Sequence, residues 1–94
     1  MKVIDIRLSL QFLEDWEKAP LGIRRRVDKF IYQILSTKKL PNSFNAHKAN
    51  GLDLWIGYVN VHHNPYRILF RVLEDGTLYW DRLLSHSEMD EILR

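Results

Sequence analysis

The sequence predicts a small α+β domain in which two N-terminal helices pack on one face of a mainly antiparallel, four-stranded sheet and a short C-terminal helix follows. Three observations support this prediction. Residues 2–8 alternate between apolar and polar side chains, residues 10–37 repeat apolar side chains at helical spacing, and residues 54–84 hold three strand-like segments separated by turn signals. A chain of 94 residues can bury one core, so we expect a single domain over residues 1–94.

The first elements follow from periodicity and from residues that begin or end helices. The strand over residues 2–8 should be half-buried, because alternate side chains point to opposite faces of a sheet. Ser9 can cap a helix from Leu10 to Ala19, and Pro20 ends it because the residue before a proline avoids helical backbone angles. A longer helix is predicted from Leu21 to about Thr37, with apolar residues along one face.

The second half of the chain is predicted to form a loop, three strands and a short helix. The loop covers residues 40–53, and the strands cover residues 54–61, 66–73 and 77–84. Asp75-Gly76 is a two-residue turn signal, and strands joined by tight turns run antiparallel. Ser85-His86-Ser87-Glu88 resembles a capping box that opens the last helix.

The composition restricts the chemistry and the location. The chain has no cysteine, which excludes disulfides, thiolate catalysis and thiolate metal ligands. The charged N-terminal segment argues against a signal peptide, and no apolar run is long enough for a transmembrane helix. We therefore expect a cytoplasmic protein with no membrane partner. The formal net charge of +2 is weak support for a nucleic-acid partner, so the positions of the charges matter more.

The polar face of the second helix is basic. Arg24, Arg25 and Lys29 lie on it. The simplest interpretation is a solvated helix face. The functional interpretation is a stripe that contacts the phosphates of a large polyanion. The sequence leaves both interpretations open.

One face of the predicted sheet gathers the polar residues. A two-residue turn at Asp75-Gly76 and a loop of residues 62–65 set the register, which pairs Leu69 with Arg82, Arg67 with Leu84 and Asn60 with Arg67. Alternation then places on one face the residues Ile56, Tyr58, Asn60, Arg67, Leu69, Arg71, Trp80, Arg82 and Leu84. His62 and His86 follow at one end of this face. We therefore expect convergence of two arginines and two histidines: Arg67, Arg82, His62 and His86.

This combination of side chains suits the cleavage of RNA. Histidine gives and takes protons near neutral pH, and arginine binds a phosphate through two donors. A base can remove the 2′-hydroxyl proton, an acid can protonate the leaving 5′-oxygen, and arginine can stabilise the phosphorane-like transition state. DNA lacks the 2′-hydroxyl, so the substrate should be RNA. No metal ion or other cofactor is expected, since no His-x-His or His-x₃-His pair predicts a zinc site.

Structural interpretations stand beside these functional ones. His63 is interpreted as a polar loop residue. A strand arginine often pairs with a neighbouring carboxylate, and Asp81 or Glu74 can serve here. Trp80 and Tyr58 can stack on RNA bases or pack within the sheet.

Between Leu40 and His86 a set of short features occurs in order at characteristic spacing: Leu40-Pro41, His47, Gly51, Trp55-Ile56-Gly57-Tyr58, His62, Pro65, Ile68-Leu69, Arg82 and His86. With these features as its specific part, the chain resembles over nearly its whole length the RelE/ParE superfamily of bacterial toxins of type II toxin–antitoxin systems, most closely the YafQ-like branch of RelE-type mRNA endonucleases. Tyr66-Arg67 matches the Tyr-Arg pair of the broader RelE group, whereas the YafQ-like branch carries Asp-Trp there. That branch also has an aromatic residue soon after the last histidine, where this chain has Ser87-Glu88-Met89-Asp90. These two departures leave codon preference open.

The resemblance implies a RelE-like fold and a toxin that enters the ribosomal A site and cleaves mRNA. Its implied partners are a cognate antitoxin protein and the 70S ribosome with mRNA. The catalytic residues, with Arg67 added from the broader group, would be His47, His62, Arg67, Arg82 and His86. RNA contacts are expected from Arg24, Arg25, Lys29, Lys48, Arg71 and Trp80. Two alternatives stay open, namely a ParE-like inhibitor of DNA gyrase and a protein that retains only antitoxin binding.

Overall fold

The computed structural model describes residues 2–49, 53–60 and 64–92. Within these ranges the chain forms three α-helices and five strands. Their order and bounds are β1 (Asp5–Leu8), α1 (Leu10–Lys18), α2 (Leu21–Thr37), β2 (His47–Lys48), β3 (Trp55–Tyr58), β4 (Tyr66–Val72), β5 (Thr77–Ser85) and α3 (His86–Ile92). None of the described helices is both long and apolar enough to span a membrane.

The strands form one mixed sheet in the order β1-β5-β4-β3-β2. β1 runs parallel to β5, and the other neighbours are antiparallel. The predicted α+β class is confirmed, and the fifth strand corrects the predicted number of four. This additional strand, β2, lies in the predicted loop, where His47 and Lys48 pair with Ile56 and Trp55. Two residues are too few to give a periodic signal in the sequence.

Helices α1 and α2 pack on one face of the sheet, as predicted. Ser9 caps α1, because its Oγ accepts a hydrogen bond from the Phe12 N–H at 2.9 Å and donates one to the Asp81 carbonyl at 2.7 Å. The core between helices and sheet includes Trp80, which is 0% exposed. Its ring stacks on Phe44 with centroids 5.8 Å apart, and Phe44 in turn lies 5.2 Å from Phe30.

The short helix α3 packs on the opposite face of the sheet. Met89 is fully buried there in a second apolar cluster with Ile56, Leu69 and Leu84. The predicted capping box is confirmed, since Ser85 donates from its N–H and its Oγ to Glu88 Oε1 at 3.1 and 2.8 Å. Helix α3 therefore covers part of the face on which the polar site was predicted.

The turn between β4 and β5 has three residues and not the predicted two. The Leu73 N–H donates to the Thr77 carbonyl at 2.9 Å, and Gly76 adopts a positive φ of 93°. This geometry is the three-residue hairpin with a left-handed glycine at its end. It shifts the register by one residue near the turn.

A β-bulge farther along β5 reverses that shift. Leu69 pairs with Arg82, whereas the next residue, Phe70, pairs with Trp80, so Asp81 is the additional residue. The predicted pairing of Leu69 with Arg82 is therefore confirmed. On β5, between the turn and the bulge, the predicted faces of Tyr79 and Trp80 are wrong, and Trp80 lies in the core and not on the polar face.

The hairpin between β3 and β4 is also longer than predicted. Arg67 pairs with Tyr58 and not with Asn60. The Tyr66 N–H donates to Asn60 Oδ1 at 2.7 Å, and the Tyr66 carbonyl accepts from the Val59 N–H at 2.9 Å. A shift of two residues preserves the face of each side chain, because alternation in a strand has a period of two. Tyr58 and Arg67 therefore stay on one face, as predicted.

The close approach of Phe44 to β3 requires a glycine at position 57. A methyl group on Gly57 would overlap the ring of Phe44, which is fully buried. We expect Gly57→Ala to lower the free energy of unfolding by about 3 kcal/mol, as overpacked cores do. Urea denaturation monitored by circular dichroism measures this change.

Gly22 in α2 supplies the matched control, since nothing lies within 4 Å of an added Cβ there. Gly22→Ala should leave the stability unchanged or raise it by up to about 1 kcal/mol, because alanine favours helix. Equal midpoints for the two variants would contradict the assigned contact between Phe44 and Gly57.

Candidate active site

Three side chains from neighbouring strands form a row on the face opposite α1 and α2. His47 lies in β2, Tyr58 in β3 and Arg67 in β4. The rings of His47 and Tyr58 have centroids 5.7 Å apart, and the Arg67 guanidinium lies 4.8 Å from the centroid of the Tyr58 ring. Tyr58 therefore holds the arginine by a cation–π contact and the histidine by a tilted ring contact.

Arg67 has unused hydrogen-bonding capacity. Its Nε is buried and makes no hydrogen bond to the described residues, although the residue as a whole is partly exposed. A guanidinium has five N–H donors, and a buried donor left without an acceptor costs about 1–3 kcal/mol. The buried Nε is closed to an incoming anion, so a phosphate beside Tyr58 would bind the terminal nitrogens of this partly exposed residue. Arg67 is thus the cation of this face best suited to bind a phosphate.

His86 lies at the beginning of α3, two residues after Leu84, which pairs with Arg67 in the sheet. Its backbone N–H donates to the Pro65 carbonyl at 2.8 Å, and Ser85 before it pairs with Tyr66. Its Nε2 lies 3.1 Å from Asp90 Oδ2, and the imidazole is half-exposed. Donation from Nε2 to Asp90 leaves Nδ1 as the nitrogen that can accept a proton. The carboxylate therefore orients this histidine for acid–base chemistry.

His47 is exposed, and its contacts leave one ring nitrogen toward solvent. Its Nδ1 lies 3.4 Å from the Asn45 carbonyl, and Asn45 adopts the left-handed conformation with φ 48°. A hydrogen bond of this length is weak. The imidazole can therefore reorient toward a substrate bound over Tyr58.

Arg82 of β5 pairs with a carboxylate of α1. Its Nε and Nη2 donate to the two carboxylate oxygens of Asp15 at 2.8 and 3.2 Å. Asp15 Oδ2 also accepts the Leu83 N–H at 3.0 Å. The hydrogen bonds that Arg82 donates to Asp15 raise the pKa of Arg82, against the opposing effect of burial. A carboxylate distant in sequence therefore binds the guanidinium of Arg82, the arginine that was predicted to converge with Arg67.

His62 lies outside the described residues, as does His63. The described backbone beside them is held from two directions. Arg26 Nε of α2 donates to the Val59 carbonyl at 2.8 Å. Asn60 Oδ1 accepts the Tyr66 N–H on the other side.

Three of the predicted RNA-binding residues are engaged within the protein. Arg24 donates to the carbonyls of Ala19 and Glu17 at 2.9 and 2.6 Å, so it caps the end of α1. Arg71 donates through two nitrogens to Asp81 at 3.0 and 3.1 Å, and this pairing raises its pKa. Trp80 is buried in the core, so its ring faces cannot reach an RNA base. The β-bulge that moves Trp80 to the core was not visible in the sequence.

The other three predicted RNA-binding residues are on the surface. Arg25, Lys29 and Lys48 are exposed. Lys48 has a carboxylate at the limit of ion-pair distance, since its Nζ lies 4.0 Å from Asp53 Oδ1. These side chains stay available for contacts with a polyanion.

Three residues that contact the predicted site residues were not themselves among the predicted site residues. Tyr58 shares a face with Arg67 in the predicted alternation, so its position was foreseeable, but its contacts with both His47 and Arg67 were not. Asp90 lies four residues after His86, which is the spacing of neighbours on a helix. Asp15 gave no signal, because α1 and β5 are far apart in the sequence.

Comparison with known proteins places the chain among toxins. Residues 6–90 match the family model described as the ParE toxin of the type II toxin–antitoxin system parDE. A search of curated proteins gave no significant match.

Solved structures share the fold at low sequence identity. The RelB–RelE antitoxin–toxin complex of Methanococcus jannaschii matches with a TM-score of 0.76 and 20% identity over 94% of this chain and 99% of that chain. The archaeal RelE–RelB complex of Pyrococcus horikoshii gives 0.67 and 21% over 90% and 96%. The DinJ–YafQ complex of E. coli gives 0.58 and 17% over 90% and 96%. The RelE-like fold is thus shared with chains that were solved in complexes.

Proposed function

The chain belongs to the ParE toxin family of type II toxin–antitoxin systems, and we propose that this toxin is a ribosome-dependent endoribonuclease that cleaves mRNA in the A site. Its proposed partners are the 70S ribosome with mRNA and a cognate antitoxin that holds it inactive. Structural neighbours that are complexes of RelE with RelB and of YafQ with DinJ support the antitoxin partner. Membership of this family does not by itself distinguish RNA cleavage from action on another target.

The observation that carries the nuclease proposal is the row of His47, Tyr58 and Arg67. It combines a phosphate-binding cation, an aromatic surface and a titratable imidazole on one face. RNA-binding sites use these three groups together, since bases stack on aromatic rings and phosphates bind arginine. An inhibitor that acts by binding alone has no need of the histidines.

In the proposed reaction the protein supplies charge stabilisation and proton transfer without a metal ion. Arg67 binds a non-bridging oxygen of the scissile phosphate and stabilises the negative charge that develops there. Arg82 donates Nε and Nη2 to Asp15, which leaves Nη1 for the same phosphate. His86 and His62 transfer the protons of the 2′-hydroxyl and the leaving 5′-oxygen, and His47 positions the substrate.

A reconstituted translation system tests this proposal. The purified protein is added to ribosomes translating a reporter mRNA, and new 5′ ends are mapped by primer extension. We expect cuts within codons in the A site, no cuts in the same mRNA without ribosomes, and protection when the cognate antitoxin is present. His86→Ala should lower the cleavage rate by about 10²–10⁴-fold, the usual contribution of general acid–base catalysis. Intact mRNA in the presence of translating ribosomes would rule out the nuclease.

The second candidate function is inhibition of DNA gyrase. The match over residues 6–90 to a family described by its ParE toxin favours it. The discriminating measurement is supercoiling of relaxed plasmid by purified gyrase in the presence of this protein. Loss of supercoiling with no mRNA cleavage would assign the gyrase function, and the opposite pair of results would exclude it.

A further inference from the structure

A basic groove of about 510 Å³ lies on the side of the molecule where β1 begins. Its lining consists of Lys2, Thr37, Lys38, Lys39 and Leu40. The Ile4 N–H beside it donates to the Gly76 carbonyl at 3.1 Å, so the groove is near the β4–β5 turn. His86 follows the opposite end of β5. The groove is therefore distinct from the row of His47, Tyr58 and Arg67.

Backbone contacts hold the three lysines of this groove together. Lys2 and Lys39 face each other in an antiparallel β-bridge. The Val3 N–H donates to the Lys38 carbonyl at 2.8 Å. Lys38 ends α2 in the left-handed conformation with φ 60°. Two chain segments distant in sequence thus bring three lysines to one groove.

These lysines lack the carboxylate partners that other basic residues of the protein have. Arg71 and Arg82 each pair with an aspartate. Among the described residues, no carboxylate lines the groove or forms an ion pair with its lysines. Within the described part of the chain their ammonium groups make one hydrogen bond, from Lys38 Nζ to the Ile4 carbonyl at 3.4 Å.

The helix dipole accounts for only part of this arrangement. A lysine at the C-terminal end of α2 is favoured by the partial negative charge there, which explains Lys38. Lys2 belongs to another segment and gains less from that helix. Like charges in one groove repel each other, and a bound polyanion would remove that repulsion.

We propose that the groove of Lys2, Lys38 and Lys39 is a second RNA-binding site that contacts the phosphate backbone without reading its sequence. Lysines bind phosphates as point charges and release counterions on binding. An acidic peptide is the less suitable ligand, because protein interfaces need apolar anchors and the lining offers only Leu40.

The distance between the groove and His86 indicates which RNA the groove would bind. β5 has 9 residues, and at about 3.3 Å per residue its ends are roughly 27 Å apart. A codon spans roughly 10 Å at about 3.4 Å per nucleotide of one strand. The groove therefore contacts RNA other than the codon that is cut. This inference rests on the proposed function in one respect, since under that function the RNA is the ribosomal RNA around the A site.

The test measures binding of the purified full chain to a short fluorescein-labelled RNA duplex by anisotropy over a series of salt concentrations. We expect Lys2→Gln/Lys39→Gln to weaken binding about tenfold or more at low salt and to reduce the slope of log K against log salt by about two. Lys38→Asn is a second variant, because asparagine tolerates the left-handed conformation. It should reduce the slope by about one.

Arg7→Gln/Lys18→Gln is the matched control, because it removes two exposed positive charges outside the groove. It should change the affinity less than about twofold. Equal losses for the two double variants would mean that net charge alone attracts RNA and would overturn the proposal. A groove variant that keeps RNA affinity but loses affinity for poly-L-glutamate would overturn it in favour of an acidic protein partner.

This measurement uses no ribosome and no cleavage, so it is independent of the nuclease assay. A protein that binds the duplex through the groove but cuts no mRNA would retain the groove assignment and lose the proposed function. A protein that cuts mRNA but does not bind the duplex through the groove would retain the proposed nuclease function and overturn the groove assignment.

Discussion

Replacing Arg67 with alanine should lower the rate of ribosome-dependent mRNA cleavage by about 10²–10³-fold, the loss that follows removal of one donor to a developing oxyanion. The reason is that Arg67 is partly exposed and has no carboxylate partner among the described residues, so its guanidinium is available to a phosphate. Its guanidinium is held over Tyr58 at 4.8 Å. The measurement is single-turnover cleavage of a reporter mRNA on translating ribosomes, with each variant checked for folding by thermal denaturation.

Arg71 is a well-matched control for this substitution. It lies on the same strand and also stacks on a tyrosine, Tyr79, at 4.8 Å. Unlike Arg67, Arg71 forms an ion pair with Asp81, and the Arg71 side chain is 49% exposed. Arg71→Ala should therefore change the cleavage rate less than about threefold and the stability by less than about 1 kcal/mol. Equal losses of activity for the two alanine variants would contradict the role assigned to Arg67.

A lysine at position 67 separates charge from geometry. Arg67→Lys keeps one positive charge but loses the planar guanidinium that stacks on Tyr58 and binds phosphate through two donors. We expect Arg67→Lys to cleave faster than Arg67→Ala but to retain less than a tenth of the original activity. Full recovery would mean that charge alone is needed, and the contact with Tyr58 would then have no part in catalysis.

Much of the fold was predictable because periodic patterns determine it. The bounds of α2, Leu21–Thr37, agree with the predicted helix, since the apolar spacing extends over several turns. The common face of Tyr58 and Arg67 was also predictable, because a register error of two residues preserves alternation. Such features depend on many residues that all indicate the same structure.

The missed features depend on single residues and on contacts distant in sequence. The three-residue turn at Gly76 and the bulge at Asp81 each shift the register by one, and their effects cancel beyond the bulge. The faces of Arg82 and Leu84 were therefore predicted correctly and that of Trp80 was not. No local pattern indicates a bulge whose additional residue has an ordinary polar side chain.

The same limit applies to the candidate site. The sequence indicated the residue types, and the face of Arg67 followed from alternation. The ion pair between Arg82 and Asp15 was not foreseeable, since a carboxylate on a helix of the opposite half of the chain has no sequence relation to a strand arginine. Asp15 therefore engages two nitrogens of the Arg82 guanidinium, although the face of Arg82 was predicted correctly.

Asp15→Ala should lower the free energy of unfolding by about 3 kcal/mol, the second large effect that we expect. Asp15 is 11% exposed and Arg82 is 29% exposed, so the substitution leaves a largely buried guanidinium without its partner. It also leaves the Leu83 N–H without the acceptor that Asp15 Oδ2 provides. The measurement is urea denaturation, with a double-mutant cycle of Asp15→Ala and Arg82→Ala to isolate the pair.

Asp81→Ala is the control for this cycle, because Asp81 holds Arg71 with similar distances in a more exposed pair. It should cost less than about 1 kcal/mol.

The same variants decide what Arg82 does in catalysis when cleavage is measured at a temperature at which all are folded. If Arg82 acts on phosphate through Nη1, Arg82→Ala should lose activity beyond that of Asp15→Ala, since the latter keeps the cation. If both lose activity equally, the pair serves only to hold α1 against β5, and Arg67 is left as the phosphate-binding arginine.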